Sequence, residues 1–241
     1  MCSGRIRSPT SPEPSEFRDN SPDPSPHRPP PVAFDEKPTM SDLSQKPQGR
    51  TAQRLETRQR VLDAAIAEFR ATGTADADVA AIAAAAGVAR ATFYFHFPTK
   101  EHVLAALEER EETRIARALT RFLSRPRDLA ASLSKTIELV AAMERRLGTL
   151  LFKDLLALHF SPTRPLTEDW REHPVIVLVA EMIERAHQRG EAQIVVDPYH
   201  SAVFFLLGLY GLLASTTTAA QLRTVTLDNY LVTVLRSLEP R

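Results

Sequence analysis

Apolar side chains recur along this chain with the 3.6-residue period of a helix. No stretch carries the strict alternation of a strand strongly enough to displace that reading. Leu55, Val61, Leu62, Ala65, Ile66 and Phe69 share one face between Arg54 and Arg70, which predicts a first helix closed by Gly73. Asp78 is placed to cap a second helix whose inner face is Val79, Ile82, Ala83 and Ala86, with Gly87 as its stop. A short third helix runs from about Arg90 to Phe97 and ends at Pro98. Thr99 then stands as N-cap of a long helix from Lys100, with Glu101 in its first turn. Further helices are predicted near 100–123, 128–146, 148–160, 173–189, 198–217 and 226–238. Pro126, Gly148, Pro162, Pro165, Pro174, Gly190 and Pro198 divide them, and Gln193 to Val196 reads as a brief extended link. The predicted fold class is all-α, with no internal repeat.

The N-terminal part is different material. Eleven of the 18 prolines fall before residue 50, among Ser, Asp, Glu and Arg. Such a segment cannot offset its ordering entropy by apolar burial, so residues 1–50 are expected to be a disordered tail. Met40 is an alternative start of translation. Over the whole chain 43% of residues are hydrophobic and 25% charged, as in a globular protein. Thirty basic residues balance 30 acidic ones, so any nucleic-acid signal is local. The one cysteine, Cys2, permits no internal disulfide, in keeping with a reducing cytoplasm. No secretory h-region opens the chain, and the longest apolar run, Ala202 to Ala214, is shorter than a spanning helix needs. A cytoplasmic protein without a membrane partner is expected.

The informative feature is the pair of short helices separated by Ala86-Gly87-Val88. A helix-turn-helix that reads DNA needs a small residue where its helices cross and a glycine to turn between them. It also needs a second helix that exposes one polar or aromatic face. Val88, Phe93 and Phe97 have the spacing of an inward face, which turns Arg90, Ala91, Tyr94 and Phe95 outward and leaves Thr92 in the first turn. Taken singly, Tyr94 and Phe95 suit the core of an ordinary helical domain better. Charge is mildly favourable: between Arg50 and Lys100 seven basic residues stand against five acidic ones, with Arg50, Arg54, Arg58 and Arg60 placed to meet phosphates.

Thr57-Arg58-Gln59-Arg60-Val61-Leu62-Asp63-Ala64-Ala65 with Phe69 and Gly73 resembles the first helix of the tetracycline-repressor (TetR) family. Ile82-Ala83, Ala86-Gly87-Val88 and Thr92-Phe93-Tyr94-Phe95-His96-Phe97-Pro98-Thr99-Lys100-Glu101 resemble its second to fourth helices. The likeness implies a helix-turn-helix DNA-binding domain over 51–99 and a helical ligand-binding and dimerisation domain over 100–241. It also implies a ligand-responsive regulator, acting as a homodimer on double-stranded operator DNA in a bacterial cytoplasm and repressing until a small molecule binds. Transferred position by position, Thr92, Tyr94, His96 and Lys100 become the phosphate-contacting set, and Arg90, Ala91 and Tyr94 face the bases with Ala80; Phe95 joins the DNA-facing surface. Ala89 stands where the family usually places a capping Ser, and Ala91 stands at a frequent Gly position, so base readout leans on Arg90. These alanines also suggest the competing class, a helical protein-interaction module with weakened DNA binding.

The resemblance further implies an effector pocket, for which Phe122, Met143, Phe152, Leu156, His159, Trp170, Met182 and Phe205 are candidate linings with Leu147 and Phe160. Their apolar and aromatic character favours a lipophilic effector. The helix 198–217 is apolar nearly all round, so more than one side of it must be covered. With the last helix it resembles the family's dimer face, which gives Phe204, Leu207, Gly208, Gly211, Leu231, Val234 and Leu235 as interface residues. Gly208 and Gly211 there permit close approach of another helix. No catalytic residue, cofactor or metal site is expected. The histidines show no ligand spacing, no nucleophile pairs with a base, and Glu108 to Glu112 reads as a solvated helix face in which Glu111 pairs with Arg114.

Overall fold

The structure is a computed structural model and describes residues 46–165, 173–215 and 220–239. Nine helices and no strand occupy the described residues. They are α1 (Lys46–Asp76), α2 (Val79–Ala85), α3 (Arg90–His96), α4 (Lys100–Phe122), α5 (Leu129–Leu147), α6 (Thr149–His159), α7 (Pro174–Gln188), α8 (Pro198–Ser215) and α9 (Ala220–Ser237). The expected tail lies outside the described residues as far as position 45. Residues 46–50 already belong to α1, which starts ahead of the apolar periodicity at Thr51. α9 likewise starts at Ala220 rather than 226, because no glycine or proline interrupts the helix-forming residues between them.

Local chemistry accounts for most boundaries. α1 is broken at Gly73, whose φ of 80° and ψ of 162° suit glycine alone. The Asp78 carboxylate accepts from Ala80 N at 2.8 Å and caps α2, and Asp128 caps α5 by accepting from Ala131 N at 2.6 Å. Ala89 precedes α3 with no side-chain cap. Thr99 holds the N-cap position of α4 but caps nothing: its hydroxyl bonds His102 Nδ1 at 3.0 Å instead.

α1, α2 and α3 pack on one another, and α2 meets α3 at 96° across the Gly87 turn. Phe69, Ile82, Phe93 and Phe97 are buried between them. The first half of α4 closes this core with Val103, Leu104 and Leu107, and Arg110 is paired with Asp63 of α1 at 2.6 Å. Its second half lies among α5, α6 and α7, where Ile115 and Leu119 are buried. α7 and α8 form the most extensive helix pair, and α9 covers α5 and α8. The buried apolar side chains form one continuous cluster from Val61 to Leu238, so the helix-turn-helix shares its core with the rest.

Two expectations change. Glu108 to Glu112 is not a solvated face, because α4 is wrapped by three helices at that point. Glu111 is only 3% exposed and is bonded by Arg146 of α5 at 2.6 Å; the expected Arg114 partner lies farther off, at 3.5 Å. Of the run's carboxylates Glu109 alone is exposed. α8 is the one described helix long and apolar enough to cross a membrane, where none was expected. Its Ala202, Phe205, Leu206, Leu209 and Leu213 are buried in the core instead.

Gly148 ends α5 and begins α6 in a single residue, with φ of 81° and ψ of 159°. That region is open essentially to glycine only. Gly148→Ala is therefore expected to cost about 1–3 kcal/mol, read as a lowered urea midpoint at fixed protein concentration; an unchanged midpoint would mean the turn relaxes without strain.

Candidate nucleic-acid interface and effector cavity

The outward side of α3 is set by what its inward side must bury. Phe93 and Phe97, one turn apart, are inaccessible to solvent, with ring centroids 6.3 Å apart. Their burial turns Arg90, Ala91, Tyr94 and Phe95 outward, Tyr94 being 42% and Phe95 65% exposed, while Thr92 and His96 are half-buried at the sides. The turn preceding α3 is fixed by backbone bonds from Gly87 N to Ala84 O and from Val88 N to Ala83 O, at 3.1 and 3.0 Å. The Arg90 guanidinium lies 5.8 Å from the Tyr94 ring centre and 3.4 Å from its hydroxyl, which holds both on one face.

α1 supplies the adjoining cations. Arg54 stacks over Phe95 at 5.1 Å and Arg58 over Phe97 at 4.6 Å, so the arginines expected to meet phosphates are docked on the aromatic run itself. Burial holds the His96 imidazole below its ordinary pKa, and repulsion from Arg54 and Arg58 lowers it further. Lys100 is half-buried and tied down: its ammonium donates to the carbonyls of Thr74 and Ala75 at 2.8 and 2.9 Å. One of its three N–H donors is left for a phosphate. The Thr74 N–H is in turn held at 2.7 Å by Asp154 of α6.

A cavity of about 410 Å³ lies between α4, α6, α7 and α8. Tyr199, Val203, Leu206 and Tyr210 line it from one face of α8, with Leu156 and Phe160 from the α6 side and Val175 and Ile176 from α7. Its polar end consists of Glu112, His159, Arg164 and His173. Of the expected linings Leu156, His159 and Phe160 are there. Met143, Leu147, Phe152, Met182 and Phe205 are buried in the core, Phe152 stacking on Tyr210 at 5.5 Å. Phe122 is half-buried beneath Arg127 and Lys135, and Trp170 lies outside the described residues. Periodicity marked these rings as inward without telling core from cavity wall. Of the polar members only His159 was expected; Glu112, Arg164 and His173 were missed because linear spacing does not show helices converging.

At that polar end His173 Nδ1 lies 2.8 and 2.9 Å from the two oxygens of Glu112. His159 Nε2 lies 3.0 Å and Arg164 Nη2 3.2 Å from Glu108. Burial by itself would raise the Glu108 carboxyl, but His159, Arg164 and His173 together hold it below its ordinary pKa. The Glu112 hydrogen bond raises His173 against the effect of burial.

On α8 and α9 the interface candidates divide. Phe204 and Leu207 are exposed, 61% and 41%, and Gly211 has open space above it. Gly208 faces its own chain: a Cβ there would meet the Tyr230 hydroxyl of α9 at 2.5 Å. Leu231, Val234 and Leu235 pack against the chain's own core, and the exposed apolar residues of α9 are Leu222, Val225 and Val232. α9 is apolar on two sides, so its pattern does not say which side faces inward.

The model of the bacterial regulatory proteins of the tetR family matches residues 61–107, which hold most of α1, all of α2 and α3 and the start of α4. The chain is 48% identical over 56 residues to the HTH-type transcriptional regulator SrpR of Pseudomonas putida, a match covering 23% of this chain and 26% of that protein. Among solved structures Salmonella enterica GusR superposes with a TM-score of 0.58 at 25% identity, over 77% of this chain and 96% of that one. Thermus thermophilus FadR, a TetR-family transcriptional repressor in complex with lauroyl-CoA, superposes with a TM-score of 0.59. At 21% identity, over 76% of this chain and 96% of that one, it shows the shared fold. Residues 61–107 thus carry the helix-turn-helix of the tetR family of bacterial regulatory proteins, on an all-helical body that shares the fold of these structures.

Proposed function

We propose that this chain is a non-catalytic, homodimeric transcriptional repressor of the bacterial cytoplasm that binds double-stranded operator DNA through α3 and is released by a small-molecule effector. The observation that carries this reading is the outward array of Arg90, Ala91, Tyr94 and Phe95 on a two-turn helix seated on Phe93 and Phe97. A helix of that length fits the major groove. Arg90 is its one side chain able to bond guanine bidentately, Ala91 and Phe95 offer apolar contact to thymine methyls, and Tyr94 serves both bases and backbone. Thr92, His96 and the free N–H of Lys100 are assigned to phosphates, with Arg54 and Arg58 beside them.

The division of labour is a helix-turn-helix over 51–99 and an effector-binding, dimerising part over 100–241. Phe204, Leu207, Leu222, Val225 and Val232 leave an apolar surface on α8 and α9, which favours a second copy as its cover. Two-fold symmetry would then set two α3 helices about 34 Å apart, one turn of DNA. The cavity volume is that of a drug-sized ligand site, and its apolar walls and polar end favour a lipophilic effector with a polar head. Such a ligand releases DNA only by preferring the conformer in which α4 holds the reading heads at the wrong spacing.

Two measurements test this reading. In gel shifts with the DNA upstream of its own gene, binding is expected to weaken steeply with salt. Tyr94→Ala should cost about 1–3 kcal/mol of affinity with an unchanged circular dichroism spectrum; undiminished binding would remove α3 as the reading helix. The second concerns His96, which is neutral at pH 7 in the free protein because its pKa is lowered. A nearby phosphate favours the imidazolium, so binding takes up a proton and affinity should rise as pH falls below neutrality. His96→Gln should flatten that rise, and a wild-type affinity indifferent to pH there would take His96 off the phosphate-contacting set.

A further inference from the structure

The polar end of the cavity brings together donors that the repressor reading uses only as a polar lining. Glu108 and Glu112 stand one turn apart on α4, His159 is the last residue of α6 and His173 immediately precedes α7. The ligating atoms of Glu108, Glu112 and His173 all lie within 4.8 Å of one another. His173 Nδ1 faces Glu112 at 2.8 Å and His159 Nε2 faces Glu108 at 3.0 Å. An imidazole lone pair and a carboxylate oxygen are both acceptors, so each of these gaps holds a positive particle, either a proton or a cation.

We propose that Glu108, Glu112 and His173 bind one divalent first-row transition ion at the polar end of the cavity, with His159 turning in from its place beside Glu108 as fourth donor. With bonds of roughly 2.0–2.2 Å, neighbouring ligands around a six-coordinate ion sit about 3 Å apart, which is the spacing of the His173–Glu112 and His159–Glu108 pairs. His159 Nδ1 lies 3.2 Å from the Leu155 carbonyl oxygen. A ring that donates there turns its Nε2 lone pair toward Glu108, and such a backbone-held orientation is usual for metal-ligating histidines. Arg164, 3.2 Å from the other Glu108 oxygen, stays as the outer partner that fixes the carboxylate. Two carboxylates and two imidazoles, without a thiolate, suit zinc, manganese, iron, cobalt or nickel rather than calcium or copper(I). Because the donors come from α4 and from the ends of α6 and α7, the ion would lock together the three helices that frame the cavity. The proposal goes beyond the repressor reading and stands or falls without DNA.

The full chain, stripped with a chelator, is titrated with zinc chloride by calorimetry and with cobalt(II) by visible absorption. One ion per chain is expected, with a cobalt d–d spectrum distinct from that of the hydrated ion. Glu112→Gln and His173→Gln should each weaken zinc binding by about tenfold or more, and Glu109→Gln, on the exposed side of the same helix, should not. Circular dichroism checks that each variant keeps its helices. Absence of a stoichiometric ion overturns the proposal, as does an unaltered hydrated-cobalt spectrum, a test that needs no variant. Binding that persists undiminished in folded Glu112→Gln and His173→Gln overturns it too, since the ion would then sit elsewhere.

Discussion

The peptide at Thr74 is held from both sides, and the connection between reading head and cavity depends on it. Lys100 of α4 bonds its carbonyl and Asp154 of α6 bonds its N–H. Thr74 follows the Gly73 break, in the link between α1 and α2, so two helices that reach the cavity grip the segment that sets the helix-turn-helix in place. α4 is itself one continuous rod of 23 residues, about 34 Å long. Its Val103, Leu104 and Leu107 belong to the core beneath α3, while Glu108 follows Leu107 directly and Glu112, one turn farther along, lines the polar end of the cavity. On the proposed function, a shift that accommodates a ligand at that end would be felt at Lys100. α6 repeats the arrangement on a smaller scale, with Leu156 and His159 in the cavity wall and Asp154 one half-turn back on Thr74.

The reading surface has a corresponding division between what anchors and what discriminates. Arg54, Arg58 and Lys100 flank α3 and are fixed by rings or carbonyls, so the proposed orientation on a phosphate backbone is well provided for. In the proposed contacts, base discrimination rests on fewer groups. Arg90 is steadied by Tyr94, but Ala91 carries no hydrogen-bonding group and Ala89 leaves the start of α3 uncapped, a loss of about 1 kcal/mol relative to a capping Ser. On the proposed reading, a motif rich in docking contacts and thin in direct readout would gain selectivity from paired half-sites, which places weight on the apolar surface of α8 and α9.

How legible the protein was in its sequence differs between its two ends, for physical reasons. In the helix-turn-helix the elements are short and each has one buried face, so a single period tells inside from outside. Phe93 and Phe97 went in and Tyr94 and Phe95 came out as their spacing required, and Asp78 and Gly87 marked real ends. In the remainder, helices are covered on two or three sides and one period no longer has one meaning. Glu111 sits in a run that reads as solvated but meets Arg146 of another helix. Gly208 makes room for Tyr230 of its own chain, and α9 turns Leu231, Val234 and Leu235 inward although its outward side is just as apolar in pattern. The Glu108–Glu112–His173 cluster is beyond linear reading, since its members meet only when α4 and α7 pack.

The central claim, that the reading head is set from the cavity side through α4 and α6, is tested most directly by the operator affinity of Asp154→Ala. Asp154 is on α6 and takes no part in the proposed DNA contacts, yet it holds Thr74 at 2.7 Å. By fluorescence anisotropy on the upstream fragment, the affinity of the folded variant is expected to change by about threefold or more. An affinity identical to wild type, with helix content intact, would contradict the account.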